Sequence, residues 1–303
     1  MKYAVIGGAG FIGHHIVNQL IDRGDSVIVI DDLSTGKREN INEKAEFIKL
    51  DISSLGADIR MKQILEGVDT VYLTAAMARV QPSIKDPISF NNVNVGGVLN
   101  VLEACRHINV RRVVYSASSS AYGNTTIFPT PETAPTNPLS PYGLQKYIGE
   151  QYCTLYSQLY GLDTVSLRYF NVYGEGMPLE GAYRTVISIF GEQYRKGEPL
   201  TYTNDGEQRR DFTYVGDVVA ANILAGDSAD KLNGEVFNVG NGSNFSVNEV
   251  IAMFGSDSKF IESRIEPSCT LADNSKLRAR FGWKPTGHLP SFIEQYKKFL
   301  LSL

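Results

Sequence analysis

The run Ser140-Pro141-Tyr142-Gly143-Leu144-Gln145-Lys146 puts a phenol and an ammonium four residues apart, just inside a helix start. Ser140 suits the N-cap and Pro141 the first helical position. At that spacing the two side chains share one helical face, so the ammonium can stabilise a phenolate. An unperturbed tyrosine titrates near pH ~10, so service as a base near pH ~7 needs about 3 units, or roughly 4 kcal/mol. A cation beside the phenol in a water-poor site supplies energy of that order. Upstream stands Ser116-Ala117-Ser118-Ser119-Ser120-Ala121-Tyr122-Gly123, where one hydroxyl could complete a proton relay. Taken singly, each motif is common: many helices carry Tyr and Lys four apart, and serines often only cap loops.

A second cluster could hold phosphate. Gly7-Gly8-Ala9-Gly10-Phe11-Ile12-Gly13 follows an apolar run and opens a helical pattern. Glycines there permit a tight turn, close approach to a pyrophosphate and close helix–strand packing. The helix start offers free N–H groups and partial positive charge. The next apolar run ends in Asp31, where a carboxylate can accept from both hydroxyls of an adenosine ribose. A 2′-phosphate would meet a like charge there, which favours NAD over NADP. Asp51 closes the third apolar run and is a candidate contact for the adenine, or only a turn residue.

These residues need a frame. Strands are predicted at 3–6, 27–30, 47–50, 70–73, 112–116 and 164–167, with helices over about 11–22, 56–66, 88–106 and 141–160. Strands spaced by helices imply right-handed crossovers and a parallel sheet covered on both faces. The strands are apolar throughout rather than alternating, as a doubly covered sheet requires. After Arg168 prolines, glycines and tyrosines crowd the chain and the alternation fails. The expected fold class is α/β: a doubly wound parallel sheet with a smaller C-terminal α/β domain. The first domain spans 1–168, with 211–240 returning to it; 169–210 and 241–303 form the second.

Composition narrows the function classes. The 303 residues are 43% hydrophobic and 20% charged, as in soluble globular chains. A net charge of −4 gives no basic field for nucleic acid. No apolar run approaches the roughly 18 residues of a membrane span, and the first one stops at glycines too early for a signal peptide. Three cysteines, Cys105, Cys153 and Cys269, show no paired spacing, and four histidines form no zinc pattern. The expectation is a cytoplasmic enzyme of small molecules that uses no metal.

The motifs together resemble the extended short-chain dehydrogenases/reductases, in the nucleotide-sugar epimerase/dehydratase group. The resemblance rests on the 7–13 glycine loop, Asp31 with Leu33-Ser34-Thr35-Gly36, Asp51-Ile52, Ala75-Ala76, Asn94-Val95, the serine run ending Tyr122-Gly123, and Tyr142 with Lys146. It continues through Leu167-Arg168-Tyr169-Phe170-Asn171-Val172-Tyr173-Gly174, Arg210-Asp211-Phe212-Thr213-Tyr214-Val215, Thr270-Leu271-Ala272-Asp273 and Gly282-Trp283-Lys284-Pro285. The pieces span nearly the whole chain in the family's order.

The resemblance implies a Rossmann domain binding NAD through Gly7, Gly10, Phe11, Ile12, Gly13, Asp31, Asp32, Asp51, Ile52, Ala75, Asn94, Ser116, Tyr142, Lys146 and Tyr169. It makes Tyr142 the acid/base, Lys146 the holder of the nicotinamide ribose and Ser118 the catalytic hydroxyl. Tyr169 and Phe170 would line the nicotinamide end. Asn171, Arg210 and Arg264 would bind the substrate diphosphate, and Thr270 would flank the sugar's 2-substituent. A small residue there admits an N-acetyl group, and a bulky one blocks it.

Departures from the family pattern carry information. Asp32 replaces a common Asn, Val98 a common Thr and Gln145 a frequent Ser. Ser119 and Ser120 stand where 4,6-dehydratases of the group carry an Asp-Glu pair, and serines of ordinary pKa cannot protonate a departing hydroxyl or take a C5 proton. The implied reaction is 4-epimerisation of a nucleotide sugar through a 4-keto intermediate, on UDP-Glc/UDP-Gal and, by Thr270, on UDP-GlcNAc/UDP-GalNAc. A UDP-uronic acid epimerase or decarboxylase on the same scaffold is the alternative. A non-catalytic NAD-binding sensor is a third reading, disfavoured because it has no use for Tyr142, Lys146 and Ser118 together. Members of the group pair through helices matching 88–106 and 141–160, so a homodimer is expected; Ile148, Tyr152, Leu155 and Leu159 form an apolar stripe on the second.

Overall fold

The computed structural model describes residues 1–181, 184–264 and 266–302. The chain begins β1 (Lys2–Ile6), α1 (Phe11–Asp22), β2 (Ser26–Asp31), β3 (Glu46–Lys49), α2 (Ala57–Ile64) and β4 (Thr70–Leu73). It continues through α3 (Val80–Lys85), α4 (Pro87–Asn91), α5 (Val98–His107), β5 (Arg112–Ser118), α6 (Pro141–Tyr160) and β6 (Asp163–Tyr169). Next come β7 (Val172–Tyr173), α7 (Val186–Arg195), β8 (Leu200–Thr203), β9 (Arg209–Asp211), β10 (Thr213–Tyr214) and α8 (Val215–Asp227). The last are β11 (Glu235–Val239), β12 (Asn244–Ser246), α9 (Val247–Phe254), β13 (Ser258–Glu262), α10 (Ser275–Phe281) and α11 (Leu289–Leu300).

Seven strands form a mostly parallel sheet in the order β11-β6-β5-β4-β1-β2-β3, the doubly wound α/β architecture that the strand–helix rhythm implies. From β1 the chain builds outward through β2 and β3, then returns to lay β4 on the other side of β1. That reversal is where sheets of this kind bind ligands, beyond the carboxyl ends of the strands. The strands are apolar because both faces are covered: all seven residues of β5 and all four of β4 are buried. Helices α1 and α6 run over the 11–22 and 141–160 spans that their periodicity predicts.

The helix expected over 88–106 is interrupted. Between α4 and α5, Asn92–Gly97 winds as a wider π turn. A π turn carries one extra residue and re-aims its side chains. Here it buries Asn94 and lays Gly97 against Ile52, where a Cβ would come within 2.6 Å of the isoleucine.

The chain divides into two compact units, with Met1–Ala121, Ser140–Arg168 and Val219–Phe237 in the first. Two buried ion pairs brace this unit. Arg112 bonds Asp163 and the carbonyls of Ala225, Ser228 and Asp230, and Arg168 forms a two-pronged pair with Glu150.

The second unit comprises Tyr122–Leu139, Tyr169–Val218 and the chain from Asn238 onward. It contains the two-stranded sheets β7–β10, β9–β12 and β8–β13. Val219–Phe237 lies with the first unit, whereas Asp211 pairs with Asn244 and Thr213–Tyr214 pair with Val172–Tyr173 inside the second. No helix among the described residues is long and apolar enough to cross a membrane, and no cluster of three His, Cys, Asp or Glu side chains could hold a metal ion.

Candidate active site

In the first unit the glycine loop joins β1 to α1. Gly7 has a positive φ of 88°, and a Cβ there would lie 2.5 Å from the Ala75 amide nitrogen after β4. Gly13 must be glycine for packing, since its Cβ would come 2.1 Å from the Gly7 carbonyl. The loops after β1 and β4 therefore touch at the sheet's reversal point. Helix α1 begins at Gly10 with no side-chain cap and no acidic residue in its first turn, which contains Phe11 and Ile12. Its amide groups are thus left for an anion.

Asp31, at the end of β2, accepts from the Ala9 amide at 3.0 Å through Oδ2 and from the Leu33 amide at 2.8 Å through Oδ1. Burial raises its pKa, and the two amide bonds oppose that rise. Each oxygen keeps acceptor capacity, which fits a ribose diol. A bare helix start, a turn that only glycine allows and a carboxylate with spare acceptors match a dinucleotide such as NAD.

The other expected cofactor contacts divide. Asp32 and Asp51 spend one oxygen each on their own turns, accepting from the amide and hydroxyl of Ser34 and of Ser53. Ile52 and Ser116 are buried. Asn94 grips Met77 through both the amide and the carbonyl, at 2.9 Å each, and donates to Gln145 at 3.1 Å. That use accounts for Gln145: its longer side chain reaches Asn94 and also donates to the Pro87 carbonyl. Tyr169, the last residue of β6, belongs to the second unit.

Ser118 ends β5 and Tyr142 lies in the first turn of α6. Ser140 caps that helix, accepting from the Gly143 amide at 3.1 Å, and the Tyr142 amide donates to Ser83 Oγ at 3.1 Å. The Ser118 hydroxyl is bonded to the Tyr142 phenol. Burial raises the phenol's pKa, while the Ser118 bond and the Arg79 charge lower it. Lys146, one turn on, is buried, and desolvation pulls it down to about 7. Ser118 at the end of β5 and Tyr142 at the start of α6 thus meet, with Lys146 four residues after Tyr142 on the same helix.

The second unit gathers Asn171, Arg210, Thr270 and a residue that the sequence reading gave no role, Asp211. The Asp211 carboxylate is fully buried and accepts from the Asn241, Gly242 and Ala272 amides at 2.7, 3.0 and 3.0 Å. Its own amide donates to Thr270 Oγ1 at 3.1 Å, and its carbonyl accepts from the Asn171 side chain at 3.0 Å. Asp211 therefore ties three chain segments to one strand. The available signal was its place after Arg210 in the run Arg210-Asp211-Phe212-Thr213-Tyr214-Val215, which does not reveal a hub.

Both Asn171 N–H groups are engaged, one on Asp211 and one on Thr270 at 3.2 Å. A diphosphate would take an N–H from Asn171 only by displacing one of these acceptors. The two arginines do not share a partner. Arg210 is paired with Glu266, whose other oxygen accepts from Thr203 and Asn204, whereas Arg264 turns to Glu262 and is 41% exposed.

Residues 3–240 match the model of the NAD dependent epimerase/dehydratase family. The UDP-glucose 4-epimerase of Mycolicibacterium smegmatis is 35% identical over 312 residues, covering 99% of this chain and 98% of its own. Among solved structures, the UDP-glucose 4-epimerase of Thermotoga maritima with UDP-glucose superposes with a TM-score of 0.93 at 35% identity, covering 100% of this chain and 99% of the other. The UDP-N-acetylglucosamine 4-epimerase of Methanobrevibacter ruminantium in complex with UDP-N-acetylmuramic acid gives 0.91 at 35% identity, with 99% and 98% covered. A sheet that reverses at the glycine loop, a hydrogen-bonded Ser118–Tyr142 pair and likeness over the whole chain agree, and the protein belongs to the NAD-dependent epimerase/dehydratase family.

Proposed function

We propose that this protein is an NAD-dependent 4-epimerase of UDP-hexoses, working through a 4-keto sugar. The observation that carries the reading is the Ser118–Tyr142 hydrogen bond one helical turn from Lys146, in a chain with serines at positions 119 and 120. Epimerisation at C4 needs one base and no second carboxylate, and that is what this set offers. Relatives that bear UDP-glucose and UDP-N-acetylglucosamine 4-epimerase names support the substrate class.

The Gly7–Gly13 loop and the start of α1 would hold the dinucleotide's phosphates, and Asp31 its adenosine ribose. Bound NAD supplies the hydride acceptor and donor. Tyr142 takes the proton of the 4-hydroxyl, directly or through Ser118, and later returns it. Lys146 holds the nicotinamide ribose and, as an ammonium, favours the phenolate. Arg210 and Asn171 anchor the diphosphate, with Arg264 the further cation of that unit, so the sugar can turn about a fixed pivot and present its other face. Thr270 is small enough to admit a 2-N-acetyl group.

A homodimer fits the surface of the first unit. Ile88, Leu144, Leu155 and Leu159 on α4 and α6 are 74, 48, 41 and 63% exposed. Burial of such a patch against a second copy removes apolar area from water.

The deciding experiment is proton NMR of the anomeric region after incubating purified protein, with no NAD added, with UDP-Gal and separately with UDP-GalNAc. Conversion to the gluco partner is the expected outcome and also reports NAD retained through purification. No conversion of either sugar, even with NAD supplied, overturns the assignment and makes UDP-glucuronate the next substrate to try.

A further inference from the structure

Lys146 is buried, and its environment contains an unusual partner. Its Nζ sits 4.4 Å from the centre of the Tyr115 ring, on the adjacent strand β5. The Tyr115 hydroxyl donates to the Lys146 carbonyl at 3.3 Å, so one tyrosine grips both ends of one lysine. Gly149, one turn along α6, makes room for that phenol: a Cβ there would lie 2.3 Å from the Tyr115 oxygen.

Carboxylates do not do this work. Glu150, the acidic residue next along α6, is committed to Arg168 through two hydrogen bonds of 2.7 and 2.6 Å. The other ionisable groups around the set are Cys153 on α6, whose pKa burial pushes up to about 12, Tyr142 itself, and Arg79 before α3. No salt bridge joins Lys146 to a carboxylate among the described residues, whereas the face of an aromatic ring attracts a desolvated ammonium.

We infer that Tyr115 is a positioning residue of the proton-transfer set: its ring holds the Lys146 side chain in place and in the ammonium form, and thereby keeps the Tyr142 phenol acidic enough to serve as the base. The inference rests on the 4-epimerase reading for its consequence in turnover, but not for its geometry. Desolvation brings Lys146 to about 7, so whatever favours its charge at neutral pH decides whether it can act on Tyr142.

The test uses the NAD-loaded protein without sugar. Ionisation of Tyr142 is read as the ultraviolet phenolate signal of each protein minus that of its Tyr142→Phe counterpart, which cancels the other fifteen of the 16 tyrosines. Tyr115→Leu removes the ring, and Tyr115→Phe removes only the hydroxyl. The expected result is a Tyr142 midpoint raised by about one pH unit in Tyr115→Leu, the scale of a desolvated cation–π contact, and little moved in Tyr115→Phe. Turnover of Tyr115→Leu at neutral pH should then fall about tenfold in kcat with KM unchanged. A folded Tyr115→Leu protein with the wild-type midpoint overturns the inference. A Tyr115→Phe midpoint shifted by a full unit overturns it as well, even if Tyr115→Leu does not fold. A wild-type protein that epimerises no sugar sinks the activity reading alone, because the titration still reports on Tyr115.

Discussion

The Asn171 side chain donates to the Thr270 hydroxyl at 3.2 Å, and the same hydroxyl accepts from the Asp211 amide at 3.1 Å. Thr270 Oγ1 is therefore saturated as an acceptor, and only its own proton is left to offer. A residue expected on size alone to tolerate a 2-N-acetyl group is also a fixed donor beside a candidate diphosphate ligand.

Size at position 270 should decide which sugars are turned over. Thr270→Tyr is expected to lower UDP-GalNAc conversion by about a hundredfold relative to UDP-Gal, the scale of forcing added volume into a packed site. Thr270→Val, which keeps the size and removes the hydroxyl, is the control for the lost bonds to Asn171 and Asp211, and should leave that ratio near wild type. Steady-state rates with both sugars measure the ratio. A tyrosine variant with unchanged preference would mean that Thr270 does not border the 2-substituent.

Removal of the phenol should separate binding from chemistry. Tyr142→Phe keeps the ring and deletes the proton-transfer group, so turnover should fall by at least about a thousandfold, within the range ascribed to a positioned acid–base. Ser118→Ala removes the hydroxyl bonded to that phenol and should cost less, because direct transfer from the substrate remains open. Bound NAD, released by heat and quantified, should match wild type in both. A Tyr142→Phe protein that turns over near the wild-type rate would exclude the phenol as the base.

What could be read from the sequence follows how local each determinant is. The glycine loop, Asp31 and the Tyr142–Lys146 spacing are set by turn and helix geometry within a few residues, and the structure holds them in strand–loop–helix contexts of the expected kind. The π turn at Asn92–Gly97 was not legible, because it depends on Gly97 meeting Ile52 and Asn94 reaching Met77, contacts between distant segments. Asp211 escaped for the same reason: its three amide donors come from residues 241, 242 and 272. Arg264 was read by position in a motif, yet its pairing with Glu262 is a local matter of the β13 end that no motif encodes. Tyr115 looked like one more apolar strand residue until its ring was seen against Lys146.

Asp211 should leave a signature in stability against pH. Burial raises its pKa from 3.8 to about 6, against the pull of three backbone amides and Thr213. A carboxyl whose folded pKa lies above its unfolded one binds protons more tightly when folded. Its contribution to stability is therefore greatest at acidic pH and declines as pH rises from about 4 to about 6. At 1.36 kcal/mol per unit the full swing is about 3 kcal/mol. Asp211→Asn cannot titrate and keeps one acceptor oxygen, so the difference in unfolding free energy between wild type and variant isolates the group from the other carboxylates. Urea unfolding at about pH 7.5 and about pH 4 should show wild type gaining on the variant at the lower pH. A difference that shrinks on acidification would mean that the amide donors outweigh desolvation and that the carboxylate is held below its unfolded pKa. At neutral pH the ionised form dominates in either case, so the hub that aligns Asn171 and Thr270 is intact where the enzyme is proposed to work.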